Sequence, residues 1–364
     1  MKFNCGIIGL PNIGKSTLFN ALTHTYLAEV ANHPFCTIEP NIGKTLIKDQ
    51  RLKQIAKLAG SKKIIYNKLE IIDVAGLIKG ANKGEGLGNK FLSHIREVDA
   101  IIHLIRCFED DNIKHVHNKV DPILDIETVE MELILADINS IEKRLPRLEK
   151  KIKQGDKKFK RQFDLMHEVL STLKDGNPVR KLKYINDNEI KLLQLLTTKP
   201  VIYVCNVKDM DVLIGNKLSK KVEKMAKKNK NKSFCISAKL EEDIANLKNE
   251  EEKQNFMLEF GLQESGLDKI IRTMYETLNM ITFFTVGQEE ASAWPIKAGS
   301  TASKAASIIH TDFEKGFIKA EKISLTDYLQ YGSELACRNA GKIRFEGKNY
   351  VVQDGDIMHF KFRV

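Results

Sequence analysis

Apolar runs of strand length recur along the chain and alternate with helical periodicity. They cover residues 3–8, 69–72, 100–106, 200–205 and 233–236. Nearly continuous apolar runs that end in turn residues are typical of strands buried on both faces. Alternation with helices favours a mostly parallel, doubly wound α/β sheet, which binds ligands at the carboxyl ends of its strands. We therefore predict an α/β domain made of residues 1–125 and 199–280.

Residues 126–198 follow a different period and do not fit that sheet. Two apolar stripes with heptad spacing flank a turn at Gly155 and Asp156, which predicts an inserted antiparallel coiled-coil hairpin. Pro146 should kink its first arm. The stripes are Ile138, Ile141, Leu145, Leu148 and Ile152, then Phe159, Phe163, Met166, Leu170 and Leu173.

The tip of this hairpin is basic. Residues 143–161 contain ten lysines and arginines against Glu149 and Asp156. Such a tip suits RNA phosphates, whose neutralisation releases counterions; a merely solvated tip is the alternative. A second lysine run at 217–232 has no aromatic residues among its lysines, and we interpret it mainly as a solvated helix face.

From residue 281 the chain changes character. Strand-like segments at 281–286, 316–323, 348–352 and 359–364 follow one another, and eleven basic residues nearly balance ten acidic ones. We expect a small α+β domain over residues 281–364.

Composition narrows the class of protein. The 364 residues carry a net charge of +10, which favours an anionic partner. We find neither a signal-peptide pattern nor an apolar stretch of membrane length. The six cysteines form no CxxC pair, which indicates reduced thiols. We expect a cytoplasmic protein with no membrane segment.

Residues 9–17 read G-x-x-x-x-G-K-S-T, directly after the first apolar run. A strand, a Gly-rich turn and a helix start are the setting of a phosphate-binding loop, whose backbone N–H groups wrap the phosphates. Lys15 would bridge the β- and γ-phosphate oxygens, and the Ser16 hydroxyl would bind Mg²⁺. The predicted nucleotide-binding residues here are Asn12, Ile13, Gly14, Lys15, Ser16 and Thr17.

Two further signals follow this loop. An apolar strand ends in D-x-x-G, in which Asp73 would support Mg²⁺ and the Gly76 N–H would sense the γ-phosphate. Thr37, within P-F-C-T-I-E-P, is placed to complete the Mg²⁺ shell. The glycine density of residues 77–88 predicts a mobile switch segment, with a plain flexible loop as the alternative.

The base-reading positions complete the pattern. Asn206, Val207 and Asp209 stand where G-proteins keep N-K-x-D, and Ser237 and Ala238 open the last base-contacting loop. Five ordered signals at strand ends predict a G-protein-like nucleotide-binding domain.

These motifs together resemble the YchF/Obg-like ATPase family. GLPNIGKST, PFCTIEPN, DVAGLIKGANKGEGLGNKFL and HTDFEKGFIKAEK carry the resemblance, which spans the chain. It implies a P-loop G-domain, an inserted coiled coil and a C-terminal TGS domain of ubiquitin-like type. It also implies a cytosolic ATPase that associates with the ribosome, which we expect at the large subunit, and that is linked to redox and stress responses.

The catalytic positions depart from the ordinary G-protein pattern. Leu77 stands where Ras-type proteins carry the water-orienting glutamine, so intrinsic turnover should be slow. The family implies a nearby histidine, which matches His115; a surface histidine fits the sequence equally well. Asn12 resembles the asparagine that holds an activating K⁺ in related G-proteins. Cys36 is a candidate redox sensor, with a small packing residue as the alternative.

The base-reading loop departs as well. The resemblance implies a motif similar to N-x-x-E at this point and a preference for ATP. Val207 stands in place of the lysine that stacks on the base, as in the family. Asp209 differs from the family, because it restores the carboxylate that accepts hydrogen bonds from guanine. Leaving that carboxylate unpaired against adenine would cost about 1–3 kcal/mol. We expect ATP to be bound, with GTP as a real competitor.

The sequence thus predicts a monomeric, Mg²⁺-dependent, ATP-hydrolysing switch protein that binds the ribosome. The tip of the coiled coil would contact RNA. Two other functions stay open. One is a GTPase of the Obg type, and the other is a nucleotide-gated ribosome- or RNA-binding protein whose hydrolysis is incidental.

Overall fold

The computed structural model describes residues 3–30, 42–74, 87–116, 119–182, 188–247 and 249–363. The chain divides into two compact units. The P-loop unit comprises residues 4–44 and 70–270, and the C-terminal unit comprises residues 1–3, 45–69 and 271–364. The predicted site residues that lie outside the described residues are Cys36, Thr37, Gly76 and Leu77.

Strands form at all five apolar runs predicted in the first part of the chain, and two further strands, Ile42–Ile47 and Lys63–Ile65, were not predicted. The strands are β1 (Phe3–Ile8), β2 (Ile42–Ile47), β3 (Lys63–Ile65), β4 (Asn67–Asp73), β5 (Ala100–Arg106), β6 (Val201–Asn206), β7 (Lys232–Ile236), β8 (Met280–Val286), β9 (Glu290–Lys297), β10 (Phe317–Ile323), β11 (Arg344–Glu346) and β12 (Ile357–Phe362).

The helices separate these strands, and short 3₁₀ turns occur at Lys157–Phe159, Val179–Lys181, Leu196–Thr198 and Asp209–Asp211. The α-helices are α1 (Lys15–Val30), α2 (Gln50–Ala59), α3 (Leu87–Glu97), α4 (Pro122–Lys153), α5 (Lys160–Lys174), α6 (Asn188–Leu192), α7 (Lys217–Lys228), α8 (Ala238–Asn246), α9 (Glu250–Glu259), α10 (Gly266–Thr277), α11 (Ala302–Ile309), α12 (Thr311–Lys315), α13 (Leu325–Tyr331) and α14 (Glu334–Asn339). No helix among the described residues is both long enough and apolar enough to cross a bilayer.

A six-stranded sheet in the order β2-β4-β1-β5-β6-β7 carries the nucleotide motifs. The pairs β1–β5, β5–β6 and β6–β7 are parallel. Every residue of β5 and β6 is buried, which explains why both read as continuous apolar runs. The predicted α/β class with a mostly parallel sheet is confirmed.

The inserted segment forms two helices, α4 and α5, that pack on one another through a shared apolar cluster. Asp121 caps α4 because its Oδ1 accepts from the N–H groups of Ile123 and Leu124, at 3.1 and 3.3 Å. Helix α4 continues through Pro146. The buried members of the cluster are Ile134, Ile141, Leu145, Met166, Val169, Leu170, Leu173, Val179, Ile190, Leu193 and Leu195.

A second six-stranded sheet, in the order β11-β10-β12-β8-β9-β3, forms the C-terminal unit. It is mixed: β8–β9 and β10–β12 are antiparallel, whereas β12–β8 and β3–β9 are parallel. The prediction of a strand at 348–352 is wrong, since only a single bridge joins Val351 to Thr301 there. The backbone of this stretch serves the N-terminus of α11, where the Ala302 N–H donates to the carbonyl of Tyr350.

Strand β9 was not predicted from the sequence, because it contains small residues and Pro295. Its partner β3 covers only Glu290, Ala291 and Ser292, so the missing N–H of Pro295 leaves no bond to β3 unmade. Strand β3 also explains why residues 45–69 group with the C-terminal unit. This division differs from the predicted boundary at residue 281, which assigned residues 45–69 to the G-domain.

Candidate functional site

The turn after β1 has a backbone that few residues other than glycine adopt. Gly9, Asn12 and Gly14 have φ angles of 155°, 61° and 88°. A Cβ on Gly9 would lie 2.6 Å from the carbonyl oxygen of Leu104, and one on Gly14 would lie 2.5 Å from the Asn206 amide nitrogen. The glycines therefore admit a close approach of neighbouring strands to the loop, and successive N–H groups of such a turn form an anion-binding concavity.

Lys15, the first residue of α1, makes two polar contacts at the end of β4. Its Nζ lies 2.7 Å from Oδ1 of Asp73 and 2.5 Å from the carbonyl oxygen of Val74. Both side chains of the pair are largely buried, at 12% and 17% exposure. The structure thus brings together the two charged residues predicted for phosphate and metal binding, which are far apart in sequence.

Ser16 and Thr17 lie in the first turn of α1, where Ser16 is exposed and Thr17 is half-buried. A serine hydroxyl and an aspartate carboxylate are hard oxygen donors of the kind that Mg²⁺ takes beside phosphate oxygens. Ser16 and Asp73 therefore suit that ion chemically. No group of three or more His, Cys, Asp or Glu side chains that could hold a metal occurs among the described residues, so such an ion would depend on nucleotide oxygens as well.

Asn206, at the end of β6, joins the P-loop to the predicted base-contacting loop. Its Nδ2 donates to the Ile13 carbonyl at 2.8 Å, and its Oδ1 accepts from the Ala238 N–H at 2.9 Å. Asn206 is only 4% exposed. Because a buried amide with both ends satisfied is costly to displace, it fixes the distance between the two loops.

The carboxylate of Asp209 lies beside the base-contacting loop as well. The Ser237 hydroxyl donates to Asp209 Oδ1 at 2.5 Å and accepts from the Leu240 N–H at 3.2 Å, which caps α8. Val207 is 2% exposed, so its side chain packs in the interior, and the adjacent Lys208 is exposed. The predicted base-reading residues are therefore neighbours in space, with Asp209 held in place by Ser237.

His115 is buried and therefore not a surface histidine. Its Nε2 lies 3.0 Å from Oδ2 of Asp125, in the first turn of α4, and both side chains are 4% exposed. The preceding residue, Lys114, accepts a hydrogen bond from Nδ2 of Asn12 at 3.3 Å through its carbonyl. The P-loop is thus linked directly to the segment that carries His115.

The sequence reading missed Arg106, the last residue of β5. It is 1% exposed, and its guanidinium donates to the carbonyls of Phe108, Asp110 and Ile113 at 3.1, 3.2 and 2.9 Å. It also lies 4.7 Å from the centre of the Phe108 ring. An arginine at the end of an otherwise apolar strand was the available signal. Its three hydrogen bonds shape the loop that leads to His115.

The described cysteines are free thiols. Burial raises the pKa of Cys5, and the hydrogen bond with Cys107 raises the pKa of Cys205. Cys235 is half-buried, and its hydrogen bond with Cys205 raises the pKa of Cys235. A thiol whose pKa is raised is a poor nucleophile, so Cys5, Cys205 and Cys235 are weak candidates for a redox role.

Comparison with known proteins gives matches along the whole chain. A family model described as a 50S ribosome-binding GTPase matches residues 4–136, and a model for the C-terminal part of YchF GTPases, described as a protein of unknown function, matches residues 280–363. The chain is 48% identical to the ribosome-binding ATPase YchF of Bacillus subtilis and 47% identical to that of Escherichia coli O157:H7, with 100% of each chain covered.

A solved structure agrees with this result. The YchF GTPase of Schizosaccharomyces pombe superposes with a TM-score of 0.87 at 38% identity, covering 99% of this chain and 98% of that one. The P-loop geometry, the full-length identity and the shared fold together show that this chain belongs to the YchF family.

Proposed function

We propose that this chain is an ATP-hydrolysing switch protein that binds the ribosome. The observation that carries the proposal is the P-loop with Lys15 paired to Asp73 at 2.7 Å, beside the Asn206 link to the base-contacting loop. The names of the relatives at 47–48% identity, ribosome-binding ATPases, support both halves of it. A cytoplasmic location and a monomeric state go with the proposal.

Lys15 and Asp73 would change partners when nucleotide binds. The γ-phosphate would draw the Lys15 ammonium away from Asp73, because a phosphate carries more charge than one carboxylate. Asp73 and Ser16 would then face a Mg²⁺ ion, which would neutralise charge on the phosphates. Thr37 and Gly76 would order around the γ-phosphate, so that hydrolysis releases the switch.

Leu77 has no hydrogen-bonding group for the attacking water, so another residue must position it. We assign this role to His115, whose imidazole pairs with Asp125 in the present arrangement and whose neighbour Lys114 accepts a hydrogen bond from Asn12.

Asn12 is also the proposed ligand of an activating K⁺. Turnover should therefore be higher in K⁺ than in Na⁺ at equal ionic strength, and equal rates would remove K⁺ from the proposal.

Replacing Lys15 with alanine tests the enzyme assignment. We expect loss of ATP hydrolysis, because the developing charge on the transferred phosphoryl group loses its cation. The charge-matched control is Lys53→Ala, an exposed residue of α2, which should keep full turnover. Hydrolysis retained by Lys15→Ala would contradict the assignment.

A GTPase is the second candidate function, favoured by Asp209. Its carboxylate is oriented by Ser237 and could accept from guanine, whereas adenine offers no donor there. Calorimetric titration with ATP and GTP, in Mg²⁺ and K⁺, decides between them: we expect ATP to bind more tightly. In that case Asp209→Asn and the exposed control Asp243→Asn should both leave ATP binding unchanged. A GTP preference that Asp209→Asn abolishes would make the protein a GTPase.

A third possibility is that the ATP-bound state, rather than hydrolysis, is the output. Complementation by His115→Ala, checked to bind ATP normally, separates the two. Rescue would support a nucleotide-gated binding protein.

Cys36 is the proposed redox sensor. Peroxide should therefore lower ribosome binding of the natural chain and leave ribosome binding of Cys36→Ser unchanged.

A further inference from the structure

Helix α7 presents an unusual concentration of positive charge. It buries Ser219, Val222 and Ala226 on one side, with the 3–4 spacing of a single helical face. Its other residues include one acidic side chain, Glu223, which lies 2.6 Å from Lys227. We define the lysine face as the exposed lysines of this helix: Lys217, Lys220, Lys221, Lys224, Lys227 and Lys228.

The fold adds another cation to the lysine face from a distant part of the chain. Lys181 ends the 3₁₀ turn Val179–Lys181. Its pKa is lowered by partial burial and by the nearby positive charges of Arg180 and Lys228. The positive charges of Lys181 and Lys228 are therefore near enough to influence one another.

In the hairpin tip, which the sequence favoured as the RNA contact, two of the described cations lie in ion pairs. Lys153 pairs with Glu149 and Arg161 with Glu189, at 2.7 and 2.8 Å. Lys151 lies 4.5 Å from the centre of the Phe159 ring. On α7, Lys227 is the one lysine in an ion pair, as far as the described residues go, so the lysine face keeps most of its charge for an external anion.

We propose that the lysine face of α7 binds the phosphate backbone of ribosomal RNA. The proposal rests on the proposed ribosome binding and names a surface for it. Lysines three and four residues apart lie about 5–6 Å from one another on a helix, which makes a continuous cationic row. Residues 217–232 contain no aromatic side chain, so the contact would read phosphates rather than stack on bases.

The lysine face suits this role because the helix beneath it is firmly anchored. Asn216 caps α7 by accepting from the N–H groups of Leu218 and Ser219, both at 3.0 Å. Its own Nδ2 donates to the Cys107 carbonyl and to Asp211, at 2.8 and 2.9 Å. Exposed lysines can therefore be replaced without touching the contacts that hold the helix.

The test is a fourfold variant of the full chain, Lys220→Gln, Lys221→Gln, Lys224→Gln and Lys228→Gln. The matched control replaces four exposed lysines of the C-terminal unit. These are Lys297, Lys304, Lys315 and Lys348. Each protein is sedimented with purified ribosomes and titrated against protein-free ribosomal RNA at several salt concentrations, and unchanged ATP affinity shows that the P-loop unit is intact.

We expect the α7 variant to lose at least about tenfold in affinity for both probes, and its log K against log salt to flatten by about 3 units, since four phosphate contacts are removed. The control should stay within about twofold. If the α7 variant sediments with ribosomes as well as the natural chain does, the inference is wrong and ribosome binding stands.

Two other outcomes would also overturn the inference. Loss of ribosome binding by the α7 variant, combined with no binding of protein-free RNA by the natural chain, would identify an acidic ribosomal protein as the partner. If the natural chain does not sediment with ribosomes at all, the proposed function itself fails, together with the inference that rests on it.

Discussion

Gly14→Ala tests the geometry of the P-loop quantitatively. An alanine Cβ there would lie 2.5 Å from Nδ2 of Asn206, at a backbone φ of 88°. The left-handed backbone costs a non-glycine residue about 1–2 kcal/mol. Moving the Asn206 amide away breaks its bond to the Ile13 carbonyl, which costs a further 1–3 kcal/mol or so because both groups are buried. The total is about 2–5 kcal/mol.

Asn206→Ala separates the two contributions. Without the Asn206 amide, Gly14→Ala retains the backbone cost of about 1–2 kcal/mol and loses the clash. ATP affinity is the appropriate measure, because the free variant can relax its loop, whereas bound phosphates require the native loop shape, so the cost falls on the bound state. A chain with two units, moreover, need not unfold in one step. At about 1.4 kcal/mol per tenfold change, Gly14→Ala should weaken ATP binding about 30- to 3000-fold in the natural chain and about 5- to 30-fold beside Asn206→Ala.

The double-mutant cycle gives the coupling directly. A coupling of about 1–3 kcal/mol would confirm that Gly14 is glycine because Asn206 passes so close. Equal losses of ATP affinity in the two backgrounds would refute the reasoning, since the cost of Gly14→Ala would then be independent of Asn206.

Further predictions concern pH and the loop before His115. Glu241 accepts from the N–H groups of Gly266 and Leu267, and burial raises its pKa from 4.5 to about 7. Folded Glu241 holds its proton more tightly than the unfolded chain does, so its contribution to the free energy of unfolding is full below pH 4.5 and is lost as pH rises through about 7. The contribution lost is about 3 kcal/mol. The melting temperature should therefore fall between pH 5 and pH 8 relative to Glu241→Gln, and parallel profiles would contradict this. Arg106→Lys keeps the charge but cannot reach three carbonyls, so kcat should drop about ten- to hundredfold with ATP affinity preserved; an unchanged kcat would show that the loop does not position the catalytic group.

The sequence alone specified the parts of the fold that follow from local pattern. Strands β5 and β6 are buried along their whole length, so continuous apolar runs marked them. The heptad stripes predicted α4 and α5 because a helix repeats its faces at a fixed period. Pattern failed in the C-terminal unit, where β9 has small residues and a proline, and where residues 348–352 have the composition of a strand but form only a single bridge, between Val351 and Thr301.

The site divides in the same way. The phosphate-binding loop was readable from residues 9–17, since its function depends on backbone shape that glycine and a following helix impose locally. Tertiary structure decided that Lys15 meets Asp73, that Asn206 joins two loops, and that His115 is buried against Asp125. Each of these is a meeting of side chains from segments distant in sequence. Their partners depend on how helices and strands pack, which periodicity along one segment does not encode.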